Sequence, residues 1–312
     1  MIDLSSSAPS IGSIGSIVAD AYNDRSKGFL PVVARTSDEL AGTLEEAADR
    51  STFGTRLNVR LFGGHPQDGV RLIDQSPVLW RGEIPLQLEA LVPVRNHPVV
   101  ASILCFGANH PSRLPSDDVL RLEDELLGRV ASLPRKAPRE DLRVEILPRH
   151  PSERDVADIL EIYLDRYTTY LAPFTAESVR QMVAGSQVVV VRDKDGRIAS
   201  ICVSENARIP VPGSQPVHFV EISDAATRLD CEGSGMYTAA KAESIRFIRL
   251  ANPDAVITTE ARANSFGVLR SNWSLGMLVA GFKIAECIIS SANNTDVRQD
   301  NIYGNLRVCY VP

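Results

Sequence analysis

Between residues 221 and 236 the chain reads Glu-Ile-Ser-Asp-Ala-Ala-Thr-Arg-Leu-Asp-Cys-Glu-Gly-Ser-Gly-Met. A strand-like run is followed by a short passage and then by two glycines at the opening of a helical pattern. Gly233 and Gly235 let the backbone approach a ligand closely, and the uncapped N–H groups of the helix that follows form an anion site that needs no side chain. A phosphate is the expected guest. A bare Gly-x-Gly fits a tight strand-to-helix turn equally well, so its surroundings decide between the two.

Those surroundings are α/β. Strand patterns cover 29–34, 57–62, 70–73 and 99–106, with a helix after the cap signal Thr36-Ser-Asp-Glu39 and a second after Ser116-Asp-Asp118. Leu133-Pro-Arg-Lys-Ala-Pro-Arg139 has two prolines and no apolar period, which marks a boundary. Beyond it come a strand (142–147), helices (152–171 and 175–184) and a strand (187–192). A turn at Asp193-Lys-Asp-Gly196 leads into strands 197–207 and 217–226, then a helix (233–250), a strand (255–263), a short helix (265–275) and strands 277–290 and 305–311. The expected organisation is a disordered tail over 1–27, an N-terminal α/β unit over 28–134 and a larger unit over 142–312. A degenerate second copy of the same fold, a dimerisation module and a substrate lid all fit the smaller unit.

Composition narrows the function classes. With 33 basic and 39 acidic residues the net charge is −6, which offers no field for a nucleic-acid backbone or an anionic membrane. Hydrophobic residues make up 44% and the mean hydropathy is −0.05, so a full core is available without a membrane-spanning run. The N-terminal Ser/Gly-rich stretch lacks the charged and apolar regions of a signal peptide, and a cytoplasmic protein is expected. Five cysteines form no Cys-x-x-Cys pair, and the five histidines show no ligand spacing, so neither disulfides nor a metal are expected.

The order strand, Gly-x-Gly, amphipathic helix, strand ending in Arg262-Ala-Asn264, short helix and Leu275-Gly-Met277 resembles the GCN5-related N-acetyltransferase (GNAT) family, whose signature is Gln/Arg-x-x-Gly-x-Gly/Ala. The resemblance covers 142–312. Asp224-Ala-Ala-Thr227, Ala261-Arg-Ala263 and Asn305-Leu-Arg-Val-Cys-Tyr310 are most similar to the β-lysine N-acetyltransferase branch. The resemblance implies a mixed sheet flanked by helices and an acyl-CoA co-substrate such as acetyl-CoA, without a metal. The coenzyme's pyrophosphate would lie on the amides of Gly233, Ser234, Gly235 and Met236. Its pantetheine would pair with backbone near Ala225, Ala226 and Thr227, and Asn264 matches a position that touches the coenzyme. Asp230 and Glu232 stand where the family carries basic or neutral polar groups, and Asn272 stands where it often keeps a Tyr acid. Tyr303 and Tyr310 are candidates for that acid.

The resemblance also implies a carboxylate base for an amine, and Glu221 occupies its place, with Asp224 as a second candidate. Asp224 lies three residues on, so only a bulge brings both to one side of the strand. An ion-paired Glu221 and a turn-bonding Asp224 are the structural alternatives. Glu260 and Arg262 share a strand face, where they pair with each other or meet a substrate; the internal ion pair is the expected arrangement. The implied partner is a small polar amine acceptor, and a homodimer is compatible with the smaller unit. An acyltransferase fed by a carrier protein or long-chain acyl-CoA, and a non-catalytic assembly domain, are the rival functions.

Overall fold

A computed structural model of the chain describes residues 14–21, 23–64, 78–167, 174–288 and 303–312. The N-terminal part contains β1 (Val18–Asp20), β2 (Arg25–Ala34), α1 (Ser37–Arg50), β3 (Arg56–Gly63), β4 (Leu79–Trp80), β5 (Ile84–Pro85), β6 (Gln87–Pro93), β7 (Ser102–Asn109) and α2 (Asp117–Ala131). The C-terminal part contains β8 (Arg143–Ile146), α3 (Glu153–Arg166), α4 (Ala176–Gly185), β9 (Gln187–Arg192), β10 (Ile198–Val211), β11 (Ser214–Thr227), α5 (Met236–Ala251), β12 (Val256–Arg262), α6 (Phe266–Ser274), β13 (Leu278–Ile288) and β14 (Tyr303–Tyr310). The helix starts follow local chemistry. Thr36 accepts from the Glu39 amide at 3.2 Å, and Ser152 with Asp155 closes a reciprocal capping box on α3.

Among the described residues twelve strands form one mixed sheet in the order β1-β2-β3-β7-β6-β13-β14-β12-β11-β10-β9-β8, with helices on its faces, and β4 and β5 pair as a separate two-stranded sheet. This is the expected mixed α/β class. The two parts meet edge to edge where Gly281 of β13 pairs with Ala90 of β6. A Cβ on Gly281 would lie 2.0 Å from the Glu89 carbonyl oxygen, so only glycine permits that approach. The sheet also bends back on itself, because Phe29 and Phe62 at one end of the order share an apolar cluster with Ile209, Val211, Val217 and Phe219 near the other.

The Gln187-Val-Val-Val-Val-Arg192 run shows why β9, next to the edge strand β8, is covered on both faces. Val188 and Val190 pack under α3 and α4, while Val189 and Val191 pack under α5, so both faces are apolar and no alternation appears.

The tail expectation is corrected for the described residues from 14 onward. Val18–Asp20 and Arg25–Ala34 are strands, and Gly28 is packed so tightly that a Cβ would meet the Ser16 carbonyl oxygen at 2.2 Å. The strand expected at 70–73 lies outside the described residues, as do residues 168–171 of the expected helix 152–171, which ends in the structure at Arg166. The Leu133–Arg139 segment forms neither helix nor strand, and it is held by the second part: Trp273 Nε1 donates to the Leu133 carbonyl at 2.8 Å and Arg270 to that of Pro134.

Candidate active site

β11 and β12 run parallel but pair only over Phe219–Glu221 with Val256–Thr258. Beyond Glu221 the strands part. Thr259 Oγ1, donating to the Ile222 carbonyl at 2.8 Å, is the link across the start of the gap. Opposite the gap, β11 keeps its pairing to β10 with one irregularity, since Val203 pairs with Ser223 and Ile201 with Ala226. Two residues of β11 therefore face one of β10, which is a β-bulge, and Asp224 in it has a φ of 42. For a residue with a Cβ this left-handed conformation costs on the order of 1–2 kcal/mol. Two tyrosines of α3 and its C-terminal flank hold it, with Tyr163 OH donating to the Asp224 carbonyl at 2.7 Å and Tyr167 OH to the Ala225 carbonyl at 3.0 Å. The bulge that could bring Asp224 toward the side of Glu221 is present, and its carbonyls are already taken.

Glu221 is buried, with 3% of its surface exposed, and Arg60 Nη1 reaches its Oε2 at 3.3 Å. Arg60 comes from β3, in the N-terminal part. The same guanidinium donates to Glu260 Oε1 at 2.6 Å, and Lys283 of β13 donates to that oxygen at 2.6 Å. Glu260 is thus paired across the molecule and not with Arg262, whose guanidinium lies over the Tyr167 ring at 5.7 Å. That corrects the expected pair: residues at i and i+2 on a strand share a face, but a closer cation from another strand wins. Burial, with the neighbouring Glu260 charge, pushes the Glu221 carboxyl up to about 7 against the opposing pull of Arg60. Burial alone pushes Asp224 up to about 6.

The charges continue into a buried network. Glu286 of β13 accepts from Arg25 at 2.5 Å, from Arg56 Nε at 2.6 Å and from Asn58 at 3.0 Å. A polar cavity of about 40 Å³ lies between Arg25, Lys27, Asn58, Arg60, Glu260 and Glu286. It is sized for a few waters and excludes a whole acceptor molecule.

The glycine loop is formed as the sequence implies. Gly233 and Gly235 have φ of 70 and 84, and α5 begins after Gly235 with no side-chain cap. The two acids near it are neutralised. Arg228 bonds Asp230 at 2.6 Å, and Arg166, the last residue of α3, pairs with Glu232 at 2.5 Å. Nη1 of Arg166 and Nη1 of Arg228 are buried without a hydrogen-bond partner among the described residues. Arg139 of the connecting segment crosses the loop, donating to the Ser234 carbonyl at 3.1 Å. This loop therefore holds orphaned cationic donors beside uncapped amides, a setting that fits a phosphate group despite the acids in the sequence.

Asn264, two residues past the end of β12, is fully buried. Tyr303 is engaged elsewhere, its ring under Arg113 at 3.7 Å and its hydroxyl on Asp24, and Tyr310 lies two strands from Glu221, packed against the apolar cluster. Neither is brought to the gap. Asn272 accepts from Lys241 Nζ at 2.6 Å. Arg60, Arg166, Tyr163, Tyr167 and Lys241 are the residues that sequence reasoning passed over. The first two lie outside every local motif, and only tertiary placement gives them partners.

Among the described residues no group of His, Cys, Asp and Glu could hold a metal ion, and no helix is long and apolar enough to cross a membrane. No family model and no curated protein matches the chain. Solved structures to which it is similar include a GCN5-related N-acetyltransferase from Kribbella flavida, at 20% identity over 55% of this chain and 98% of that one with a TM-score of 0.42. A ribosomal-protein-S5-alanine acetyltransferase from Vibrio fischeri is similar at 14% identity over 56% and 94%, TM-score 0.43. A ribosomal-protein-alanine N-acetyltransferase from Brucella melitensis is similar at 19% identity over 55% and 99%, TM-score 0.40.

Proposed function

We propose that the chain is an acyl-CoA-dependent N-acyltransferase that moves an acetyl group to a primary amine of a small polar acceptor by direct attack. The observation that carries this reading is the parting of β11 from β12 immediately after the buried Glu221, on the strand that leads into an uncapped glycine loop. A gap between parallel strands leaves backbone groups for an extended pantetheine, the loop takes the phosphates, and the thioester then lies beside a carboxyl whose pKa suits a base at neutral pH. Attack needs a free amine. Glu221 removes the proton, the amine nitrogen adds to the thioester carbon, and the C–S bond breaks.

Calorimetry with acetyl-CoA tests the first half. Binding should release heat and raise the melting temperature, since a ligand held by the folded state stabilises it. Absence of both at millimolar ligand overturns the reading.

Two variants locate the phosphates. Gly235→Val places a β-branched residue at a φ of 84 and beside the Arg139 side chain, so affinity for acetyl-CoA should be lost at a modest cost in stability. Arg166→Met should weaken binding by about 10-fold or more, because a charge-assisted hydrogen bond contributes roughly 1.5–3 kcal/mol. Unchanged affinity in both folded variants would place the phosphates elsewhere.

A further inference from the structure

Lys241 lies on the sheet-facing side of α5 and is fully buried. Its Nζ donates to Asn272 Oδ1 at 2.6 Å, Tyr237 OH at 3.0 Å and Thr259 Oγ1 at 3.3 Å. None of the three is an acid. From the other elements around it, Cys202 of β10 and Cys309 of β14 are the titratable groups near it. Glu260, next to Thr259 on β12, points to the other side of the sheet, where it binds Arg60 and Lys283. Among the described residues no carboxylate balances the Lys241 ammonium.

Lys283 makes the contrast. It too is fully buried, but Glu260 at 2.6 Å and Glu286 at 3.5 Å compensate it. A buried cation held only by neutral oxygens is costly, and a Met of similar reach would fill the space without that cost. The position of the ammonium suggests what it is for. Thr259 Oγ1, which accepts from Lys241, itself donates to the Ile222 carbonyl at 2.8 Å, and Ile222 is the first residue of β11 beyond its last pair with β12. The cation stands one hydroxyl away from the gap.

We propose that Lys241 is the proton source for the leaving thiolate, delivered through the Thr259 hydroxyl; the inference rests on the acyltransferase reading. As the amine nitrogen bonds to the thioester carbon, the C–S electron pair goes to sulfur. The Thr259 hydroxyl gives its proton to the thiolate and takes one from the Lys241 ammonium, while the proton lost by the amine goes to Glu221. The products are amide and free thiol, and solvent returns one proton to Lys241 and removes one from Glu221. Burial brings Lys241 down to about 8, close to the ordinary range of a thiol, so the transfer runs nearly level.

The experiment measures kcat against pH for wild type, Lys241→Met, Thr259→Val and Thr259→Ser, with acetyl-CoA affinity from calorimetry and melting temperature on the same samples. Wild-type kcat should fall as pH rises through about 8, where the ammonium is lost. In Lys241→Met, kcat should drop by about 100-fold and that alkaline limb should vanish, with coenzyme affinity within twofold and no loss of melting temperature. Thr259→Val should be as slow, and Thr259→Ser, which restores the hydroxyl, should recover most of the rate. The serine rescue separates delivery from packing. An alkaline limb that survives in Lys241→Met, or full turnover in Thr259→Val, overturns the proposal while the acyltransferase reading stands. Failure of wild type to bind acetyl-CoA overturns both. If Lys241→Met does not fold, the valine and serine pair decides alone.

Discussion

In Glu221→Gln, turnover at pH 7 is expected to fall by about 100-fold or more, while acetyl-CoA affinity stays within twofold. The substitution keeps the shape of the side chain and a polar atom for Arg60, and it removes the only function a base needs. A protonated amine has no lone pair with which to attack a thioester. The wild-type rate should therefore rise with pH through about 7, the value to which burial and the Glu260 charge bring the Glu221 carboxyl. That ascending limb should disappear in the variant, and part of the rate should return at high pH, where the acceptor supplies its own free amine. Asp224 makes the alternative visible. Its carboxyl is brought up to about 6, so a variant that keeps near-normal turnover with a limb one unit lower would transfer the role of base to Asp224.

The same shift has a cost in stability whose sign can be checked. A carboxyl with a folded-state value above 4.5 binds its proton more tightly when folded, so its contribution is present below pH 4.5 and is lost as pH rises through about 7. A base at Glu221 needs the ionised form that the fold disfavours, so the proposed role runs against this contribution. Arg60, from the N-terminal part, offsets part of that penalty by favouring the ionised carboxylate.

How much of this the sequence disclosed depends on the kind of signal. The glycine loop, the helix after it and the position of Glu221 were legible because each is local: positive φ selects glycine, and a strand followed by Gly-x-Gly is written in consecutive residues. The polar face of β3 was not. Arg56, Asn58 and Arg60 alternate with Leu57, Val59 and Leu61, which reads as a strand with one wet face. In the structure all six are buried, because Glu286, Glu221 and Glu260 from strands more than 160 residues away cover the polar side. Charge alternation states that a face is polar; only tertiary pairing states whether water or a counter-ion meets it. Lys241 failed for the opposite reason. Its place beside Ala239 and Ala240 and one turn before Ser244 puts it on the apolar side of the α5 pattern, a local oddity that could have been noticed. Asp230 and Glu232 were legible as acids, but Arg228 and Arg166, which neutralise them, enter from a neighbouring turn and from another helix.

Because the network spans both parts, it should also set the unfolding behaviour. Glu286→Gln removes one charge from a site where Arg25, Arg56 and Lys283 converge, leaving cations buried without their shared acid. Removing one partner of a buried ion pair costs about 3–5 kcal/mol, against a total stability on the order of 5–15 kcal/mol. Burial opposes ionisation of Glu286, yet Arg56, Lys283 and Arg25 outweigh it and hold the carboxyl well below its ordinary range. The difference between wild type and variant should therefore be full above pH 4.5 and should shrink as the pH falls below it. The chain supplies its own reporters, since its two tryptophans are Trp80, buried in the N-terminal part, and Trp273 on α6. With Trp80→Phe and Trp273→Phe as single-tryptophan backgrounds, urea unfolding should give coincident transitions from the two halves, and Glu286→Gln should move both together. If only the Trp80 transition moves, the N-terminal part unfolds by itself, and the ion network contributes to that part alone instead of joining the two across the bent sheet.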